Sequence, residues 1–354
     1  MSRAWLAIPI ALVALVLVGV PVLALTESGF EEGLKRAVGY RVGGEECQPT
    51  INRDSRWRRE PSLPVKRDEP RAVAIDDRVY LVGGVDSIEQ TDDGILLQPL
   101  DDLTRFDPAT GRFEQLAPMP RALNHMAAVA YDGDLYVLGG YQRRLDVNTR
   151  DELFRYDPGT DRWSRMPPLP RPRAAMAVGV VDDRLIVAGG AEGREPLASV
   201  LAFDFSTERW SELPDMPTAR EHVAGAVVDG DFYALGGRAE HSDALDDAAR
   251  LDTATETWEE LPPLPVPTGG LDAVVVDGAP VAVGGGDDRG GTVTGAVQRW
   301  DAAREQWVSM PEMRTPRHGH ASAVVGDKLY VFGGSHCAYF TATDSVESLR
   351  LSER

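Results

Sequence analysis

The chain has 354 residues, of which 56 are acidic and 37 basic, for a formal net charge of −19. That length suits one large repeat domain and little else. The acidic balance excludes general binding to nucleic acid or an anionic membrane surface, because both call for a basic footprint.

Residues 4–25 are uncharged and almost wholly apolar, with Arg3 before them and Glu27, Glu31 and Glu32 after. A run of this length can span a bilayer as a helix, and the charge asymmetry would place the N-terminus inside and the rest of the chain outside. A secretory signal peptide cleaved after Ala24 fits as well, with Val22 and Ala24 at the cleavage positions. Residues 1–25 are thus a signal peptide or a transmembrane anchor. Both readings predict export and an extracytoplasmic protein, either secreted or membrane-anchored. Residues 26–54 read as a connector without strong periodicity.

From residue 55 a pattern takes over. A short apolar run closes on a glycine pair six times, ending at Gly84, Gly140, Gly190, Gly237, Gly285 and Gly334. A repeat of about 50 residues means a solenoid, a propeller or an array. A second column places an aromatic residue at Trp57, Phe113, Trp163, Trp210, Trp258 and Trp307, and a third places Asp107, Asp157, Asp204, Asp252 and Asp301 before all but the first of these. Asp at the head of a turn bonds its own backbone, so peptides such as DPGTDRW read as hairpin turns between two strands. Proline-rich stretches such as MPPLPRP follow and end the pairing, because proline cannot donate to a ladder.

Each unit therefore holds about four strands. The first two, such as AAVAY and LYVLGG, are apolar at consecutive positions, which fits sheets buried on both faces. Radially stacked four-stranded blades bury both faces and leave only short edges, so the fold class is all-β, a six-bladed propeller over residues 55–354. Ser55-Arg-Trp57 carries an outer-strand signature with no blade before it, and the chain ends on a blade that lacks its outer strand. The N-terminal strand is predicted to close the ring by completing the last blade.

These residues resemble the kelch repeat, whose marks are an apolar strand ending in Gly-Gly, a Tyr within that strand and a following Trp. The Tyr stands at Tyr80, Tyr136, Tyr233 and Tyr330, and is replaced by Ile186 and Val281 in two repeats. The resemblance implies the propeller fold. It leaves function open, since kelch propellers serve as binding modules, scaffolds and enzymes.

The residues entering the first strand of each unit are Arg67, Leu123, Arg173, Arg220, Thr268 and Arg317. Four guanidinium groups around one axial mouth would form an anion-binding pocket, since planar forks suit carboxylate or phosphate. The loops after Gly-Gly are the other candidate, because variable loops on a rigid scaffold carry function. His318 and His320 alternate on a strand and so share a face, with His336 and Tyr339 nearby. No dependable third ligand spacing accompanies them, and neither metal nor cofactor is expected. The only cysteines, Cys47 and Cys337, flank the closing blade, and an oxidising compartment would permit a bridge.

Two functions follow. One is a binding module whose axial mouth takes a protein segment or an anionic carbohydrate. The other is a carbohydrate-active enzyme of the sugar-acid epimerase or mutarotase kind. No triad order, phosphate loop or catalytic carboxylate pair favours the enzyme.

Overall fold

The computed structural model describes residues 48–91, 94–143, 149–239, 244–287, 291–337 and 340–352. The apolar segment 4–25, Cys47 and Tyr339 lie outside them. Among the described residues there is no helix, and hence none long and apolar enough to cross a membrane. The chain instead forms six four-stranded antiparallel sheets.

Each sheet is a blade, laid down from the axis outward. Blade 1 runs Arg71–Ile75, Arg78–Val82, Leu103–Asp107 and Arg112–Leu116. The next four blades repeat this order, with inner strands Ala127–Tyr131, Ala177–Val181, Ala224–Val228 and Asp272–Val276. Blade 6 supplies Ala321–Val325, Lys328–Phe332 and Val346–Arg350 and takes its outer strand, Arg58–Arg59, from the other end of the chain. There Arg58 pairs with Ser348 and Arg59 with Glu347. Inner strands of successive blades adjoin, and that of blade 6 adjoins that of blade 1, so the ring closes.

Apolar clusters lie between blades rather than within one. Val82 and Leu103 of blade 1, for example, pack with Val137 and Phe154 of blade 2. Both faces of every inner sheet are thus buried, and this is why the strands are apolar at successive positions.

Two recurring bonds fasten one blade to the next. The indole N–H of Trp163 donates to the Ala117 carbonyl of the preceding blade at 2.8 Å. Trp210, Trp258 and Trp307 do the same to Pro167, Pro214 and Pro262, and Trp57 donates to Pro311 at 2.8 Å. The aromatic column is therefore a set of hydrogen-bonded clasps onto the proline-rich segments. Phe113 has no such donor and stacks on Phe106 at 4.7 Å.

The glycine pairs make the second fastening. The N–H of Gly84 donates to the Leu123 carbonyl of the next blade, and Gly140, Gly190, Gly237, Gly285 and Gly334 donate to Arg173, Arg220, Thr268, Arg317 and Arg67. Gly83 shows why a side chain is excluded. Its φ is 59°, and a Cβ there would lie 2.7 Å from the Leu123 carbonyl oxygen. Gly83→Ala combines a left-handed conformation with overpacking against backbone, and chemical denaturation should show a loss of about 2–4 kcal/mol.

Candidate functional site

The arginine side chains brace the glycine bend of their own blade. All four side chains are 0–1 % exposed. Arg67 donates to the Gly83 carbonyl at 3.4 Å and to Asp102 at 2.6 Å. Arg173 donates to the carbonyls of Gly189 and Ser199 and to the Ser199 hydroxyl. Arg220 donates to the carbonyls of Gly236, Asp247 and Ala234. Arg317 donates to the carbonyls of Gly333, Ser345 and Thr315 and to the Ser345 hydroxyl, and pairs with buried Glu347 at 3.0 Å. In blade 5 the Thr268 hydroxyl takes over the bond to the first glycine, donating to Gly284 at 2.9 Å. In blade 2 the slot is filled by apolar Leu123, 0 % exposed.

This corrects the expectation of an open anion pocket. The glycine bend turns a carbonyl inward, where water cannot reach it, and a buried acceptor left unpaired is costly. The arginine supplies the donors. An anion entering from the mouth would meet no free guanidinium at Arg67, Arg173, Arg220 or Arg317.

The mouth is built from the next two residues of each blade: Asp68-Glu69, Asn124-His125, Ala174-Ala175, Glu221-His222, Gly269-Gly270 and His318-Gly319. The first of each pair forms a β-bridge with the residue after Gly-Gly: Asp68 with Val85, Asn124 with Tyr141, Ala174 with Ala191, Glu221 with Arg238, Gly269 with Gly286 and His318 with Ser335. The mouth and the loops after Gly-Gly are therefore one surface. In blade 1 that loop is a hairpin, Val85–Thr91 with Gly94–Pro99.

The second residue of each pair forms a collar at the end of the inner strands. Four of its hydrogen bonds run from blade to blade, Glu69 to Gly319, Gly319 to Gly270, Gly270 to His222 and Ala175 to His125, each N–H to carbonyl. All six residues are left-handed, with φ of 53° at Glu69, 51° at His125, 55° at Ala175, 50° at His222, 61° at Gly270 and 58° at Gly319. Beneath the collar, Ala72–Ala74, Ala128–Ala130, Val178–Val180, Gly225–Val227 and Ala273–Val275 line an open axial channel of about 300 Å³ whose side chains are all apolar or absent.

Charge is concentrated in this collar. Glu69 Oε1 lies 3.7 Å from His125 Nε2, and the His125 and His222 rings meet edge to face with centroids 4.8 Å apart. His222 Nδ1 is bonded to Glu221 Oε2, and Glu221 Oε1 accepts from Arg238 Nε at 2.9 Å. Burial alone would raise the Glu69 carboxyl, but His125, His222, Arg71 and His318 around it hold it at about 2. Glu221 is likewise held at about 2 against burial, chiefly by Arg238 and His222. Burial and the neighbouring Glu69 charge raise Asp68 well above the usual carboxylate range. Burial lowers His125 and His320 to about 3 and His318 to about 4. The collar thus sets the ionised Glu69 carboxylate beside the neutral imidazole of His125.

In the sequence His318 and His320 read as sharing a strand face, with His336 nearby, and no metal is expected there. Gly319, at φ 58°, separates the first two outside the strand Ala321–Val325, so strand alternation does not apply to them. The cluster that does form is Glu69, His125 and His222, whose ligand atoms lie within 4.8 Å of one another. It takes one residue from each of three blades. The signal was a shared register, two residues past the arginine column.

Cys337 is buried, and no cysteine among the described residues is free. A bridge from Cys337 to Cys47 would close a loop of roughly 290 residues, worth about 5 kcal/mol on chain-entropy grounds. Thiol titration of the denatured, unreduced chain should then find no reactive thiol; two reactive thiols would exclude the bridge.

Six blades joined by glycine bends and tryptophan clasps define a β-propeller built from one repeated unit. The chain belongs to the kelch-repeat family: the KLHDC2/KLHL20/DRC7 Kelch-repeats domain matches residues 124–334, and the Kelch motif matches residues 66–120. It is 32% identical over 76 residues to Kelch-like protein terF of Aspergillus terreus, a match covering 22% of this chain and 16% of that protein. It is 33% identical over 86 residues to Kelch repeat protein C2 of Vaccinia virus, covering 24% and 15%. The matched segment thus spans about a sixth of the length of either relative.

Proposed function

We propose that this protein is an exported binding module that seats a protein segment at its axial mouth, on the face shared by the collar and the loops after Gly-Gly. Export rests on the apolar segment 4–25 and the single Arg3 before it. The observation that carries the binding site is the contrast between positions. Bends, clasps and arginine column repeat from blade to blade, whereas the collar holds Glu69, His125, Ala175, His222, Gly270 and Gly319 at equivalent places. Blades 5 and 6 meet the left-handed requirement with glycine, which adopts it freely. Glu69, His125 and His222 meet it with a charged or imidazole side chain brought to the axis.

Membership of the kelch family also supports a protein partner. The anionic-carbohydrate alternative loses its main support with the burial of the arginines. The epimerase or mutarotase reading fares no better, because the axial cavity is lined by Ala, Val and Gly and offers a sugar no side-chain polar group.

Peptides selected from a random library on the immobilised full-length chain test the reading. Glu69→Gln and Arg238→Ala should each weaken the selected peptides about tenfold or more. Arg162→Ala, on an outer strand, should leave them unchanged. The reverse pattern would place binding elsewhere on the propeller.

A further inference from the structure

We propose that Glu69, His125 and His222 together bind one divalent first-row transition-metal ion on the propeller axis. The proposal concerns the collar of the preceding section but stands without a protein partner. It starts from the hydrogen bonds behind the two imidazoles. The Asn124 side-chain amide donates to the carbonyls of Tyr141 at 3.2 Å and Gln142 at 2.9 Å. Its Nδ2 is thereby identified, and its Oδ1 can only accept. That oxygen lies 2.6 Å from His125 Nδ1, which therefore carries a proton. The Nε2 lone pair of His125 is left facing Glu69 Oε1 at 3.7 Å.

His222 repeats the arrangement with a stronger partner. Its Nδ1 meets Glu221 Oε2, while the other oxygen of Glu221 is held by Arg238. A carboxylate oxygen is an acceptor, so Nδ1 again carries a proton, and in the neutral ring Nε2 keeps the lone pair. An imidazole whose Nδ1–H is anchored to an oxygen is the usual outer shell of a metal-ligating histidine: it fixes the tautomer and raises the basicity of Nε2.

The three side chains thus bring lone-pair atoms together. Arg71 Nη1 lies 3.9 Å from Glu69 Oε2, the oxygen turned away from His125, and a cation at Oε1 would offset the repulsion among the three lone pairs. The ligand atoms are within 4.8 Å of one another. Metal–ligand bonds of about 2.0–2.2 Å require donor atoms about 3–4 Å apart, so a bound ion would draw the three groups slightly together. Two imidazoles and one carboxylate select iron(II), cobalt(II) or zinc(II) over calcium or magnesium, which prefer all-oxygen shells. Three protein ligands leave coordination positions open. Glutamate and histidine stand here in the conformation that two other blades reach with glycine.

The test is calorimetric titration of the untagged, chelator-stripped full-length chain with Zn²⁺ and separately with Ca²⁺, with no peptide present. One equivalent of Zn²⁺ should bind and Ca²⁺ should not. Glu69→Gln, His125→Gln and His222→Gln should each weaken Zn²⁺ at least tenfold, and Glu221→Gln, which touches only the outer shell, roughly 10–100-fold. Should a variant fail to fold, visible spectroscopy of the wild-type chain with Co²⁺ decides, since nitrogen coordination alters the ligand-field bands from those of the hydrated ion. Absence of stoichiometric Zn²⁺ binding overturns the proposal, as does Zn²⁺ affinity unchanged in all three ligand variants or an unaltered Co²⁺ spectrum. Zn²⁺ binding with no peptide selected would leave the metal centre standing and remove the docking reading.

Discussion

Trp57→Ala is expected to lower the stability of the whole propeller by about 3–5 kcal/mol, the range for deleting a fully buried Trp from a core. Trp57 is 0 % exposed and packs with Val281, Val297, Met313 and Leu349, and its indole donates to Pro311. The segment around it ties the two ends of the chain together. Ser55 Oγ donates to the Glu312 carbonyl, Glu60 N to Val346, and Glu60 Oε1 accepts from Ser348 and Lys328. Removing residues 1–60 should be worse than the point change. It leaves the strand Val346–Arg350 as an unpaired edge, which invites association. Equilibrium denaturation of the variant and light scattering of the truncated chain measure the two effects. A truncated chain that stayed monomeric with the parent's stability would show that the closing strand is dispensable.

Arg317→Ala should cost about 3–5 kcal/mol through a different mechanism. The Arg317 and Glu347 side chains are 0 % and 1 % exposed, so removing the guanidinium strands a carboxylate inside the protein. Glu347 retains only the backbone N–H and hydroxyl of Thr315. Arg317→Lys should recover only part of the loss, because one ammonium cannot span the Gly333 and Ser345 carbonyls and Glu347 together. Arg173→Ala, where the partners are neutral, should cost less, roughly 1–3 kcal/mol. Urea denaturation ranks the three. Variants as stable as the parent would mean that the arginine column does not brace the glycine bend of its own blade.

The architecture was legible because the determinants of a propeller recur. A glycine pair, an Asp turn and an aromatic residue in fixed order reveal the blade, and the solitary Trp57 reveals where the ring is joined. Chemistry was less legible for the same reason. Arginine at a repeated position suggests an anion site, yet its role depends on carbonyl groups turned inward by the glycine bend, and a sequence does not state where a carbonyl points. Leu123 in the same column was the available clue, since an apolar residue marks the slot as buried. The collar went unnoticed because it varies: Glu69, His125 and His222 become neighbours only when three blades, far apart in the chain, meet at the axis. The pairing of His318 with His320 failed because Gly319 breaks the strand before alternation can begin.

Under the proposed function, the collar end of the axis is the working end of this propeller. Hydrogen exchange read by mass spectrometry, with and without a library-selected peptide, tests it most directly. Binding at the collar should slow exchange in residues 68–70, 124–126 and 221–223 and in the loops after Gly-Gly that bridge to them, leaving the outer strands unchanged. Slowing confined to the outer strands, or to the opposite-face turns at Asp132-Gly133 and Asp229-Gly230, would place binding away from the collar.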